Sequence, residues 1–154
     1  MADIRDIWLH AHNMIRTARQ ILNDNLRPLN LSSAEGNILL HLLTQGEEMA
    51  QEQLVEQLDV SKPAVSRTLE SLASKGFVTR LQDAHDRRVH RVQLTDQARA
   101  IGPMVMQAYN QLYTLAMQDI TQQELDQFVR LFGRMADNFT RSQAKKPIEV
   151  ENDV

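Results

Sequence analysis

The segment 61–68, SKPAVSRT, carries the side chains of this sequence that are best suited to read a polar surface. An arginine can bond two acceptors on a guanine edge at once, hydroxyl groups reach base edges or phosphates, and proline or alanine can touch a thymine methyl group. We expect base or phosphate contacts from Ser61, Lys62, Pro63, Ala64, Ser66, Arg67 and Thr68. The alternative for Arg67, on which this prediction chiefly depends, is an arginine that is merely solvated.

A second basic group, Asp86-Arg87-Arg88, lies inside the polar segment 82–89. An arginine at the tip of a hairpin suits the narrow minor groove of A·T-rich DNA, where the negative potential is focused. Of the two arginines we favour Arg88 as the inserted side chain. Asp86 is expected to hold the hairpin by an ion pair or a turn hydrogen bond rather than to contact DNA.

The spacing of apolar residues predicts the elements that position these groups: a helix, a turn, a second helix and two short strands. Each helix has one apolar stripe, formed by Leu54, Val55 and Leu58 in the first and by Val65, Leu69 and Leu72 in the second. Ser61 is a candidate N-cap of the second helix, which ends near Lys75-Gly76. Residues 77–81 and 90–94 alternate with period two, which indicates a hairpin with a charged tip. Residues 47–49 are expected to be a simple link into the first of these helices.

These motifs resemble those of the MarR (multiple antibiotic resistance regulator) family of winged helix-turn-helix proteins, and within it the SlyA branch. The resemblance rests on SKPAVSRTLESLASKGFVTR for the recognition helix and the first strand, and on DRRVHRVQLT for the wing. It implies a mainly α fold with a small β-hairpin wing, and a base-reading or phosphate-gripping arginine at position 67. As one domain over 1–154, the chain would comprise a DNA-binding lobe at 30–95, dimerisation helices at 1–29 and 96–142, and a flexible tail at 143–154.

Long amphipathic helices are predicted at both ends of the chain. The first, over 3–27, has an apolar face made of Ile4, Ile7, Trp8, Ala11, Ile15, Ala18 and Leu22. Capping boxes at Ser32–Glu35 and Thr121–Glu124 start two further helices. The last helix has an apolar seam made of Leu125, Phe128, Phe132, Met135 and Phe139. These faces offer more apolar surface than the small motif can cover, so we expect a homodimer; the alternative is a monomer in which they pack on each other.

Composition is that of an ordinary globular protein, with 42% hydrophobic and 24% charged residues in a chain of 154. No apolar run is long enough to span a membrane and the N-terminus is not a signal peptide, so a cytoplasmic location is expected. Cysteine is absent, which excludes disulfides and thiolate chemistry. The net charge of −3 conceals a local charge of +4 over residues 61–91, where seven basic side chains face three acidic ones. A local positive field is what phosphate binding requires.

A ligand site is suggested by His12, Arg16 and Arg19, which share one stripe of the first helix. In the family, aromatic carboxylates and phenols occupy a cleft beside this helix, so the resemblance implies a small anionic effector near Trp8 and His41. The alternative is a solvent-exposed helix face. Five histidines without a cluster at ligand spacing make a metal site weak, and no cofactor is expected.

Enzyme function is not expected, because the sequence has no phosphate-binding glycine loop, nucleophile elbow or metal-ligand repeat. The sequence therefore predicts a homodimeric repressor of pseudo-palindromic operators in duplex DNA, relieved by a small aromatic ligand. Two alternatives stay open: a metal-responsive regulator with the same fold, and a winged helix that contacts proteins and has no DNA role.

Overall fold

The computed structural model describes residues 1–145, which form six α-helices, a short 3-10 turn at Arg27–Leu29 and a three-stranded sheet. In chain order the elements are α1 (Ile4–Leu26), α2 (Ser33–Gln45), β1 (Glu48–Ala50), α3 (Gln51–Leu58), α4 (Lys62–Ser74), β2 (Val78–Gln82), β3 (His90–Leu94), α5 (Asp96–Ala116) and α6 (Gln122–Ala144). The mainly α architecture with a hairpin wing is thus confirmed. Among these described helices, none has an apolar stretch long enough to cross a membrane. Of the predicted tail, residues 146–154 lie outside the described part.

Local hydrogen bonds explain where the helices begin and end. Ser32 and Thr121 each form the predicted capping box with the glutamate three residues later, so both orphan amides of those helix starts are satisfied. The Ser61 hydroxyl accepts a hydrogen bond from the Ala64 amide at 3.3 Å and begins α4. Gly76, with φ of +81°, follows the end of α4 in the left-handed region that favours glycine.

The sheet has the strand order β1-β3-β2, with all neighbours antiparallel. The predicted hairpin of β2 and β3 is confirmed, but the expectation that residues 47–49 are a simple link is wrong. Met49 is 7% exposed and lies opposite Val92, so β1 pairs with the side of β3 that faces away from β2. Three residues are too few to show a period of two, and their partner strand lies about forty positions further on, which explains why the pattern did not reveal β1.

The described chain divides into two compact units after Thr114, within α5. The first unit has a single apolar core, to which its helices and its sheet contribute. Its largest fully buried side chains are Leu26, Leu39, Leu42, Leu54, Val65, Leu69, Leu72, Val92 and Val105. The buried side of α4 is anchored in this core by the predicted stripe of Val65, Leu69 and Leu72, so its other side is presented to solvent.

The second unit consists mainly of α6, and none of the residues of α6 is buried. Leu125 and Met135 are half-buried, whereas Phe128 and Phe132 are 57% and 48% exposed. Their rings stack with centroids 5.6 Å apart. Contiguous exposed apolar patches of this kind commonly mark interaction sites.

Candidate nucleic-acid interface

Helix α4 presents a short polar and basic front to solvent. Ser61, Lys62, Pro63 and Arg67 are exposed, while Ala64 and Ser66 are half-buried beside them. Lys62 lies 3.9 Å from Glu52 of α3, at the limit of an ion pair. Within residues 1–145, Arg67 has no carboxylate partner. Its guanidinium is therefore available to acceptors outside the protein.

Thr68 lies on a different side of the same helix from Arg67. It is half-buried and lines an internal cavity described below. Its hydroxyl donates a hydrogen bond of 2.9 Å to the Ala64 carbonyl, one turn earlier. Of the seven residues of segment 61–68 that we expected to contact DNA, Thr68 alone lines this cavity.

The wing tip is held by two carboxylates. Asp86 accepts hydrogen bonds from the Arg88 backbone amide at 3.0 Å and from Nε of the same residue at 3.1 Å, while the other carboxylate oxygen accepts from its terminal nitrogen at 3.1 Å. Asp83 accepts from the backbone amides of His85 and Asp86 at 2.8 and 3.2 Å. These bonds lower the pKa of both carboxyls, through the Arg88 side chain at Asp86 and mainly through the two amides at Asp83. Sequence reasoning missed Asp83, although an aspartate that opens a loop is a common turn former.

Several basic side chains that were counted over residues 61–91 are paired with other residues of the protein. Lys75, counted in the basic segment, forms an ion pair with Glu35, and Arg91 forms one with Glu48 at 2.6 Å. Both glutamates lie outside 61–91, so the count omitted them. Arg80 donates to the buried Gln51 amide oxygen at 2.8 Å. In the described part of the chain Arg88 is likewise paired with Asp86, so the free positive charge of this segment lies mainly at Arg67 on α4 and at Arg87 in the wing.

Glu35 connects α4 to the start of α2. Its side chain is 8% exposed and accepts from Lys75 Nζ at 2.9 Å, from the Ser32 amide at 3.2 Å and from the Ser71 hydroxyl at 3.4 Å. Lys75 Nζ also donates to the Asn30 carbonyl at 2.7 Å. A nearly buried carboxylate is tolerated because each oxygen is paired. The C-terminal end of α4 is therefore tied to the α1–α2 corner.

A cavity of about 300 Å³ lies between α2, the α3–α4 turn, α4 and α5. It is lined by Ala34, Asn37, Ile38, Leu40, His41, Thr44, Leu58, Val60, Val65, Thr68, Tyr109 and Tyr113. None of these twelve residues is Lys, Arg, Asp or Glu. The buried Tyr109 hydroxyl donates to Asn37 Oδ1 at 2.5 Å, and burial raises the pKa of Tyr109 far above its usual range. His41 Nε2 lies 2.5 Å from Gln57 Oε1 of α3.

The predicted ligand residues are only partly brought together. His41 lines this cavity, and Arg19 lines a neighbouring one of about 240 Å³ that shares Asn37, Tyr109 and Tyr113 with the first. Trp8, His12 and Arg16 line neither of the two. Across residues 1–145, no three His, Asp or Glu side chains lie close enough together to hold a metal ion.

An exposed helix after a tight turn, followed by a hairpin wing, defines a winged helix-turn-helix protein. The MarR family model matches residues 29–89, which include α2 to α4 and most of the wing. This match covers less than half of the chain, and the structural neighbours below share its winged-helix fold; members of the MarR family are transcription regulators rather than enzymes.

Three solved structures illustrate the likeness. A mutant MarR from E. coli complexed with operator DNA is 25% identical, with a TM-score of 0.76 over 87% of this chain and 99% of that one. The transcriptional regulator SlyA is 21% identical, with a TM-score of 0.80 over 89% and 96%. The organohalide-sensing regulator RdhR in its 2,4-dichlorophenol bound form is 18% identical, with a TM-score of 0.78 over 90% and 82%. MarR and SlyA match about equally well, so the likeness does not single out the SlyA branch.

Proposed function

We propose that the protein is a homodimeric repressor that binds pseudo-palindromic operator DNA and is released by a small aromatic effector, and we place it in the SlyA branch. The observation that carries the proposal is the exposed front of α4 beside a wing whose tip is basic. Arg67 has no carboxylate partner among residues 1–145, so its guanidinium is available to DNA. The E. coli MarR complex with operator DNA supports this use of the fold.

The two basic elements read different features of DNA in this proposal. The front of α4, with Lys62, Pro63, Ala64, Ser66 and Arg67, enters the major groove, where base edges differ. The wing enters the minor groove through Arg88, which remains 91% exposed although Asp86 orients its guanidinium. In a two-fold dimer, two such helices reach successive major grooves about one helical turn apart, which predicts half-sites roughly 10 base pairs apart.

The dimer is proposed to form through the exposed apolar faces of the terminal helices. On α1 these include Ile4, Trp8 and Ile15, each 54–56% exposed. On α6 they include Phe128, Val129, Leu131 and Phe132, each 48–60% exposed. Burying such side chains contributes about 1.5–3 kcal/mol each when the burial is complete. Faces of this size on both terminal helices favour association over a solvated monomer.

The effector is proposed to occupy the 300 Å³ cavity, which differs from the anion site that the sequence suggested. Its walls combine apolar and aromatic side chains with the polar Asn37, His41, Thr44 and Thr68, and it lacks a Lys or Arg that would compensate a buried carboxylate. A neutral aromatic molecule with a hydroxyl group fits these walls better than a carboxylate does. The dichlorophenol bound by RdhR belongs to this chemical class. Protonated 2,4-dichlorophenol should therefore release DNA at lower concentration than 2,4-dichlorobenzoate, and the reverse order would favour the Arg16–Arg19 stripe.

The test of the DNA-binding proposal is a selection of bound duplexes from a random pool with the full chain. We expect enrichment of two inverted half-sites at a fixed spacing of about one helical turn. The matched control is the double variant Arg67→Ala, Arg88→Ala in the same selection, which should enrich a motif that lacks one position in each half-site and the A·T-rich flanks. Absence of any motif with the wild-type chain would contradict DNA reading, and a single asymmetric motif would contradict the dimer.

A further inference from the structure

The recognition helix α4 forms part of the wall of the proposed effector cavity. Val65 and Thr68 of α4 face the same space as His41 and Thr44 of α2 and Tyr113 of α5. Val65 is 1% exposed and is held by the core. Thr68 is half-buried and polar, so it is the α4 side chain that can exchange hydrogen bonds with an occupant.

Thr68 is bonded to the turn of α4 that is proposed to read DNA. Its hydroxyl donates to the Ala64 carbonyl at 2.9 Å, and the Ala64 amide in turn donates to the Ser61 hydroxyl at 3.3 Å. A threonine that bonds the carbonyl four residues earlier bends its helix slightly. The Thr68–Ala64 bond therefore contributes to the placement of residues 61–67, which include Arg67.

We propose that Thr68 is the residue that couples the cavity to the DNA-reading front of α4; this rests on the proposed function above. The Thr68 oxygen donates one hydrogen and can still accept from the hydroxyl of a phenol. An occupant that bonds or displaces the Thr68 side chain alters the Thr68–Ala64 bond, and with it the geometry of the first two turns. The effector then favours a form of α4 that fits DNA less well, since a ligand shifts an equilibrium only by its differential affinity for the two forms.

The structure provides a matched control on the other side of the cavity. Thr44 of α2 also lines it, and its hydroxyl donates to the Leu40 carbonyl at 2.8 Å, again four residues earlier. Thr44→Val therefore removes the same group and the same kind of bond as Thr68→Val, but on a helix other than the proposed reading helix. Any difference between the two variants reports on the role of α4.

The experiment measures the affinity for a selected operator with and without 2,4-dichlorophenol, at a pH where the phenol is neutral. Direct binding of the phenol to each protein is measured by calorimetry without DNA. In the wild type, Thr68→Ser and Thr44→Val, we expect the phenol to weaken operator binding by about 5- to 150-fold, the usual range of allosteric coupling. In Thr68→Val the phenol should still bind. Adding it should change the operator affinity of this variant less than about twofold, well below that range.

Several results would overturn the proposal, and they differ from failure of the proposed function. If Thr68→Val keeps the wild-type response, or Thr44→Val loses it equally, Thr68 is not the coupling residue although the effector role stands. If the phenol does not bind the wild type up to millimolar concentration, or binds without effect on DNA affinity, the coupling proposal fails together with the effector role. Operator binding without phenol tests the regulator itself. Thr68→Ala repeats the comparison if the valine variant does not fold, as judged by circular dichroism.

Discussion

Substitution of Arg67 and of Arg88 by alanine should affect different properties of operator binding: base preference for Arg67, and salt dependence and flank preference for Arg88. Arg67 has no internal ion pair in the described chain, so its truncation to alanine leaves no buried group unpaired and the measured loss is the DNA contact itself. A bidentate arginine–guanine contact gives about 1–3 kcal/mol of discrimination. For two half-sites in a dimer this becomes about 2–6 kcal/mol, or on the order of 30-fold to 10⁴-fold in affinity.

Arg88→Ala should act through the field of the minor groove. Truncation leaves Asp86 with its backbone hydrogen bond from residue 88, so the wing tip keeps its shape. The slope of log affinity against log salt should fall by about 0.9 per wing, or about 1.8 per dimer. Only the preference for A·T-rich flanks should weaken, because the minor groove is read mainly by its width and potential. Arg87→Ala is the neighbouring control, and we expect a smaller change in slope from it.

The assay is a salt titration of operator binding by fluorescence anisotropy, repeated on duplexes with single base substitutions. Arg67→Ala should lose its preference at one position in each half-site. If it binds all the duplexes in the wild-type order with a uniform loss, Arg67 grips a phosphate and base reading falls to Pro63, Ala64 or Ser66. If Arg87→Ala lowers the slope more than Arg88→Ala does, the assignment of the wing arginine is wrong.

Three further variants test the scaffold. Phe132→Asp places a charge on the apolar face of α6 and should give monomers or aggregates in sedimentation; a soluble dimer at micromolar concentration would place the interface elsewhere. Asp83→Asn weakens the loop bonds to His85 and Asp86, so the wing should be cleaved faster by protease. Because the pKa of Asp83 is lowered, the stabilisation of the wing loop by its carboxylate is present above about pH 4 and is lost as the pH falls further. The protease sensitivity of the wild type should therefore not change between about pH 6 and 8. Glu35→Ala should lower the free energy of unfolding, measured by urea titration, by about 2–3 kcal/mol. This is less than for a fully buried ion pair, because Lys75 is 25% exposed. A loss below about 0.5 kcal/mol, which is typical of a surface substitution, would contradict this expectation.

Elements whose determinants are local could be predicted from the sequence. The serine and threonine caps lie three residues from their partners, so Ser32–Glu35 and Thr121–Glu124 mark the helix starts without knowledge of the fold. Likewise Val65, Leu69 and Leu72 identify the buried side of α4, because one helix repeats its face every three or four residues. The exposed front of α4 follows directly from this periodicity.

Features that join distant parts of the chain could not be predicted in this way. Lys75 and Arg91 belong to the basic segment in sequence, but Glu35 and Glu48 neutralise them from outside it. The cavity takes its walls from four parts of the first unit, and no single stretch shows a pattern for it. The stripe of His12, Arg16 and Arg19 does have a pattern, yet only Arg19 lines a cavity next to the one proposed for the effector.

The wing loop can change length without disturbing the rest of the lobe. The β2–β3 ladder ends at the pair Gln82 and His90, and the loop closes beyond it through the hydrogen bond from the Asp83 amide to the Val89 carbonyl at 2.9 Å. Between these two residues, each added pair of positions would extend the tip by up to about 3.3 Å, while β3 stays fixed between β1 and β2. If the wing and α4 read DNA as proposed, the reach of the wing along the operator can therefore diverge between related proteins, or be engineered, independently of the bases that α4 selects.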